Sequence, residues 1–448
     1  MVKFTKCEPS PRRPAVKMCI LAAAMLAGAA GRSALAAAPK VRPELGNAKL
    51  GLFVHYVFGL TQAAPGKPPL GNVNQFADAL NVAGIAKMAQ TMGAQYVIFT
   101  AYHWRMTTLF PSKVWGAGFP GHVCKRDVIA ALAAALKARH IKLVLYVHPD
   151  DRHDFTPPMI QKLVQLGWTS KRLVIKGAVH GEPHDPKWNK LYYNLLNELG
   201  RRYGSAIAGY WEDDGGGASN GATVQKIMLH YTPKAAIWTN GDGSKPPANL
   251  VGGENWNLFD HIAKPHLYNT SQNQVAAVIA GTWWAQAGKL TYTPSEMYRF
   301  LICSIATKGQ HNGGVVYATS PFSNNQWETG VRRGLRAFGK LVQTNATAIY
   351  NTQPSRAYVS GTMAAAKPQW GVAVDSRHGK TVYLHVLMAP RGNALQIGPP
   401  ADHVKFVSAA LLHGKAVGLR PDRAGYQITL PAGAHWNAVD TVIALVVK

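Results

Sequence analysis

Residues 126–149 read "RDVIAALAAALKARHIKLVLYVHP", and the two halves of this stretch obey different rules. Up to His140 the apolar side chains recur at three- and four-residue spacing, the pattern of a helix with one buried face. From Ile141 they form an almost unbroken apolar run that stops at Pro149, as expected of a strand covered on both sides. A helix that hands the chain directly to a buried strand is the repeating unit of a parallel α/β sheet.

The unit recurs along the chain. Residues 50–57 (LGLFVHYV), 94–103 (AQYVIFTAYH), 207–214 (IAGYWEDD), 235–240 (AAIWTN) and 313–321 (GGVVYATSP) have the same strand character, bounded by Gly, Pro, Asn or Asp. Residues 82–93, 187–204 and 295–309 have helical spacing, and a further amphipathic run over 326–343 closes the series. Repetition over some 300 residues predicts a (β/α)8-type barrel, with a doubly wound open sheet as the alternative. Beyond about residue 352 the rhythm changes to short alternating strands separated by turn residues, which predicts an all-β sandwich. The expected organisation is therefore a leader over 1–36, a barrel over 37–350 and a β-sandwich domain over 351–448.

The leader stands apart in composition. Lys3, Lys6, Arg12, Arg13 and Lys17 precede the apolar run "MCILAAAMLAGAAG", and "SALAAAP" supplies small residues suited to cleavage near residue 37. This is the pattern of an export signal and implies a secreted or periplasmic protein; the Arg12-Arg13 pair adds a weak twin-arginine feature. The run is interrupted by Gly and shorter than the roughly 20 apolar residues of a membrane span. No later segment is apolar for long enough to cross a membrane.

With 48 Lys and Arg against 22 Asp and Glu, the chain carries a formal charge of +26, and it stays strongly basic once the leader is removed. Such a surface favours anionic surroundings. The cations are scattered, however, without the basic run or module of a nucleic-acid binder, and no nucleic-acid partner is expected. Cys7 and Cys19 fall in the leader, so the remaining pair, Cys124 and Cys303, makes neither a zinc set nor a disulfide framework and reads as two buried thiols, with a single bridge as the alternative.

A parallel barrel presents its chemistry at the carboxyl ends of its strands. There the sequence places His55, His103, Tyr146, His148 and Trp211, together with the triplet Glu212-Asp213-Asp214 ahead of three glycines. Imidazoles and aromatic rings around a carboxylate suit a polar ring such as a sugar. Side chains alternate along a strand, so Asp213 should share its face with Trp211 while Glu212 points the other way. His148, Asp150, Asp151 and His153 lack regular ligand spacing, and no metal or cofactor is expected.

These motifs resemble the α-L-fucosidases of glycoside hydrolase family 29. "GLFVHYV" is similar to that family's G-I-F-I-H-W-G strand, "YVIFTAYHWRMTTLF" to its Y-x-V-L-T-x-K-H-H-D-G-F segment, "CKRDVIAAL" to its K-R-D helix start and "WEDDG" to its W-F-D-G nucleophile motif. The resemblance implies a barrel followed by a sandwich, sugar contacts from His55, His103, Tyr146 and Trp211, and Asp213 as nucleophile, with Asp214 or Glu212 as the alternative if the turn is offset by one residue. It places Trp104 where the family has its second histidine, with Arg105 and Met106 in place of Asp-Gly. The acid/base glutamate of the family lies in a variable loop after the following strand, which implies Glu254 in "GGENWN". The implied activity is a retaining exo-glycosidase acting on an α-L-fucoside or a related sugar. The alternative, a sugar-binding protein without turnover, shares the fold and differs in the chemistry of the altered pocket residues.

Overall fold

The computed structural model describes residues 43–149, 155–170, 185–213, 220–239, 246–250, 252–254, 274–285, 290–306, 313–359 and 370–448. The expected leader, Asp150, Asp151, His153, Asp154 and Asp214 lie outside them.

Eight parallel strands make the first sheet: β1 (Leu50–Val54), β2 (Tyr96–Thr100), β3 (Lys142–Val147), β4 (Gly209–Glu212), β5 (Ala236–Thr239), β6 (Gly252–Glu254), β7 (Gln274–Val278) and β8 (Gly314–Ala318). Their order is β5-β4-β3-β2-β1-β8-β7-β6, so β1 pairs with both β2 and β8 and each later strand adds to a rim. Ladder pairing is absent between β5 and β6, and the chain just ahead of β6 fills part of that seam. The amides of Asn249 and Leu250 donate to the Ile237 carbonyl at 3.1 and 3.2 Å. The Asn249 side chain accepts from the Ile237 amide at 2.8 Å and donates to the Ala235 carbonyl at 2.9 Å. One amide side chain thus imitates the missing strand backbone.

Alternation along these strands separates two cores. Phe53, Ile98, Val144, Tyr146, Trp211, Trp238 and Val316 fill the barrel interior. Leu52, Val97, Phe99, Leu145, Tyr210 and Ile237 face outward and pack with the helices. That layer contains α1 (Val73–Ala79), α2 (Val82–Met92), α3 (Val128–Lys137), α4 (Pro157–Gln165), α5 (Pro186–Tyr203), α6 (Gly221–Tyr231), α7 (Pro294–Ala306) and α8 (Thr329–Thr344). The cap of α3 also joins it to α5. Asp127 accepts from the Ala130 amide at 2.9 Å and from the Tyr203 hydroxyl at 2.8 Å.

The remaining strands are antiparallel: β9 (Thr352–Pro354), β10 (Gly371–Ser376), β11 (Thr381–Val386), β12 (Ala394–Ile397), β13 (Phe406–Leu411), β14 (Gly418–Asp422), β15 (Gly425–Thr429) and β16 (Thr441–Val447). They form a five-stranded sheet, β9-β10-β11-β16-β13, and a three-stranded sheet, β12-β15-β14. Leu384, Ile443 and Leu445 from one meet Leu395, Ile397 and Ile428 from the other in a shared apolar core. Cys124 and Cys303 are both buried thiols that form no disulfide among the described residues. Among the described residues, no helix is long and apolar enough to cross a membrane.

Two barrel strands escape the sequence pattern. Residues 252–254 were expected to belong to a loop and instead form β6, in register with β7. Their glycines conceal the strand: a Cβ on Gly252 would lie 2.8 Å from the Trp238 ring, so only glycine lets the chain pass. Strand β7, "QVAAV", is short and mostly small side chains.

Candidate active site

His55 follows β1 directly and is buried. Its ring meets Tyr146 edge-on at 4.5 Å, His103 at 5.5 Å and Trp283 at 5.7 Å, and Trp284 lies 6.5 Å away. Burial, and then the neighbouring His103 and His148 rings, holds its pKa well below the ordinary value, so it serves as a neutral imidazole near neutrality. The Nδ1 atom makes no hydrogen bond among the described residues. A neutral, uncommitted ring nitrogen in a pocket wall suits a sugar hydroxyl.

Tyr146 lies opposite Trp211 across the β3–β4 ladder, and the Asp213 amide continues that ladder by donating to the Val147 carbonyl at 2.9 Å. This extra bond carries strand alternation one residue past β4. The Tyr146 hydroxyl consequently donates to Asp213 Oδ2. Asp213 is partly exposed, whereas Glu212 is fully buried on the helix side and accepts from the Tyr192 hydroxyl at 2.8 Å. Alternation thus separates the two carboxyl groups as the sequence predicts.

His103 does not end β2. It sits beyond it in a small hairpin, Tyr102–His103 against Thr107–Thr108. Three consecutive residues at its tip, Trp104, Arg105 and Met106, have φ of 42°, 57° and 54°, left-handed values that side chains other than glycine rarely adopt. The Trp104 amide donates to His103 Nδ1 at 2.8 Å, which leaves the neutral ring's proton on Nε2. The Trp104 indole lies against Gly59, where φ is 89° and a Cβ would come within 3.0 Å of it, and the Arg105 guanidinium stands 5.2 Å from the indole centre. His148 stacks on His103 at 5.6 Å.

The structure therefore joins His55, His103, Tyr146 and Asp213 around one mouth, with Trp104 at the hairpin tip. Trp211 has no exposed surface and packs 5.8 Å from Phe53 inside the barrel, beneath the others. Glu254 ends β6 at the same edge of the sheet, a strand-end position rather than the expected loop; its side chain lies outside the described residues. Among the described residues, the mouth offers the partly exposed Asp213 carboxyl group, the neutral His55 imidazole, the His103 ring and aromatic walls.

A family model described as alpha-L-fucosidase matches residues 74–347. The chain belongs to the alpha-L-fucosidase family. It is accordingly a glycoside hydrolase of that family, and the (β/α)8-like sheet followed by antiparallel sheets is the fold of its structural relatives. The alpha-L-fucosidase from Bacteroides thetaiotaomicron superposes with a TM-score of 0.64 at 17% identity, covering 89% of this chain and 93% of that one. Alpha-L-fucosidase isoenzyme 1 from Paenibacillus thiaminolyticus gives 0.64 at 17% identity, over 90% and 98% of the two chains. The Thermotoga maritima alpha-fucosidase gives 0.62 at 14% identity, over 91% and 97%. No curated protein sequence matches the chain.

Sequence reasoning missed Trp283 and Trp284. They follow β7, the strand that the apolar pattern did not reveal, so nothing marked them as strand-end residues. A Trp-Trp pair shortly after a parallel strand in a sugar-processing barrel would have been the usable signal.

Proposed function

We propose that the protein is an exported, retaining α-L-fucosidase with Asp213 as nucleophile and Glu254 as acid/base. The observation that carries this reading is the Tyr146–Asp213 pair, one partly exposed carboxylate aimed into a mouth of neutral imidazole and aromatic rings by the alternation of β4.

Asp213 attacks the anomeric carbon while Glu254 protonates the departing glycosidic oxygen, and a glycosyl ester forms. Glu254, now a carboxylate, takes a proton from water as the water displaces Asp213, and two inversions give net retention. In retaining enzymes the two carboxyl groups stand about 5–5.5 Å apart, within the reach of residues at the ends of β4 and β6. The trapped covalent intermediate of the Bacteroides thetaiotaomicron enzyme supports this course by analogy. The Tyr146 hydroxyl steadies the anionic nucleophile, and His55 and His103 address sugar hydroxyls. Trp283 and Trp284 give the apolar wall that a 6-deoxy sugar, with its methyl group, would pack against. The leader over 1–36 supports export to the periplasm or medium.

Nitrophenyl glycosides of L-fucose, D-galactose, D-glucose and L-rhamnose test the reading, and release from the α-L-fucoside is the expected result. Replacing Asp213 with Gly should lower turnover by at least roughly ten-thousand-fold. Added azide should then restore cleavage and yield the azide of inverted configuration. Ordinary activity in Asp213→Gly would overturn the assignment, and binding of L-fucose without turnover of any substrate would establish a sugar-binding protein instead.

A further inference from the structure

The middle residue of the W-x-D motif faces away from the sugar, and in this chain it is Glu212. It has no exposed surface, and a single donor, the Tyr192 hydroxyl of α5, serves it at Oε1. Its Oε2 has no hydrogen-bond partner among the described residues. An apolar side chain would fill this wall without the desolvation that a carboxyl group suffers there. Glu212 is paired across the ladder with Val147, so the next residue on β3, His148, alternates to the pocket side. Its carbonyl accepts from the Tyr102 hydroxyl at 3.1 Å and its ring stacks on His103 with planes 22° apart. Glu212 is thus bonded to the nucleophile on one side and stands beside the strand end that carries His148.

We propose that Glu212 is a positioning residue of this site: buried on the helix side and anchored to α5 through the Tyr192 hydroxyl, it fixes the end of β4 from which Asp213 enters the mouth. The proposal rests on the reading of Asp213 as nucleophile. Burial pushes the Glu212 pKa up to about 7; the Tyr192 hydrogen bond and His148 oppose that rise, and the Asp213 charge adds to it. The titratable groups that act on it are Tyr192 from α5, His148 beyond β3 and Asp213, and Tyr192 in turn has Tyr102 and Tyr193 as neighbours. Tyr192 stays neutral, since burial and then Glu212 raise its pKa well above the ordinary value. Above about pH 7 a negative charge therefore develops in this buried wall, one residue from the nucleophile, and destabilises the end of β4 that carries Asp213.

The test compares wild type, Glu212→Gln and Tyr192→Phe in pH profiles of kcat/KM and in thermal unfolding from pH 4 to 9. Wild-type kcat/KM should fall on the alkaline side with a midpoint near pH 7. Glu212→Gln should lose that limb while keeping KM at pH 6, and Tyr192→Phe should move the limb to higher pH by removing the donor that favours the carboxylate. Unfolding needs no turnover and separates this proposal from the assignment of Asp213. A group whose folded pKa is raised contributes stability that is fully present below its unfolded value and lost as pH rises through the folded one. Wild type should therefore lose stability between about pH 4.5 and 7, and Glu212→Gln should lack that component. Superimposable pH profiles and unfolding curves for wild type and Glu212→Gln would overturn the proposal. An unchanged limb in Tyr192→Phe would overturn the role given to the hydrogen bond.

Discussion

Two groups of tyrosine, carboxylate and histidine among the described residues, one at the barrel mouth and one at the junction with the sandwich, differ in how they are bonded. At the barrel mouth Tyr146 donates to Asp213, while His55 and His103 approach through ring contacts and His55 Nδ1 has no hydrogen bond among the described residues. At the junction with the sandwich, Tyr298 of α7 and His385 of β11 both donate to Asp440 Oδ2 at 2.7 Å. His385 Nε2 faces the Ala348 carbonyl at 3.3 Å, so both ring nitrogens have an oxygen within reach. The side chains of His385 and Asp440 are 0% and 1% exposed. The open group keeps the His55 imidazole available to a ligand beside a partly exposed carboxyl group. The closed one spends the same chemistry on fixing a helix of the barrel to two strands of the sandwich. Completeness of hydrogen bonding, more than residue type, separates a site from a strut.

The largest effect on the closed side should come from removing its shared acceptor. Asp440→Ala leaves the Tyr298 hydroxyl and the His385 ring buried without their common partner, and each unsatisfied buried group costs about 1–3 kcal/mol. Thermal or urea unfolding should show the loss, while kcat of the protein that remains folded at 25 °C should match wild type. Replacing both Asp440 and His385 by Leu should return much of the stability, because apolar groups of suitable volume leave fewer buried polar groups unsatisfied. A fall in kcat without a fall in stability would erase the distinction between the two groups.

Tyr146→Phe attacks the open group in the same spirit. The hydroxyl stabilises an ionised acceptor, and hydrogen bonds to charged groups contribute about 1.5–3 kcal/mol. Loss of that donor should lower kcat/KM on an aryl α-L-fucoside by about ten- to a hundredfold, with unfolding shifted little because Asp213 is partly exposed and regains water.

Much of this architecture was legible because periodicity records burial. Helix α3 and strand β3 are legible in residues 126–149 alone, and strand alternation by itself assigns Asp213 and Glu212 to opposite faces. Periodicity fails where the buried side chain is very small or supplied by another element. Strand β6 is two glycines and a glutamate, shaped by the Trp238 ring it passes, and its seam with β5 is bridged by Asn249. Missing β6 turned Glu254 into a loop residue, and missing β7 hid Trp283 and Trp284. The hairpin carrying His103 was invisible for another reason: three successive left-handed residues without glycine leave no compositional mark. The junction group was equally silent, since Tyr298, His385 and Asp440 are far apart in sequence and none belongs to a local pattern.

The smallest expected effect gives the sharpest comparison, since the same substitution can be made in both groups. Tyr298→Phe removes one donor from Asp440, but the His385 bond to the same oxygen remains. The carboxylate also keeps the packing of Val439 and Arg299 around it, where the Arg299 Nε donates to the Val439 carbonyl at 3.2 Å. A net loss of about 1 kcal/mol is therefore expected, the ordinary contribution of one intramolecular hydrogen bond. It should appear as a lower unfolding midpoint, with kcat/KM and its pH profile unchanged. Tyr146→Phe should do the reverse, sparing stability and lowering kcat/KM. Measured on one preparation of each variant, the two tyrosines then form a crossed pair of outcomes. If Tyr298→Phe depressed kcat/KM as strongly as Tyr146→Phe, the sandwich would be coupled to the catalytic mouth through α7, and the separation of site from strut would fail.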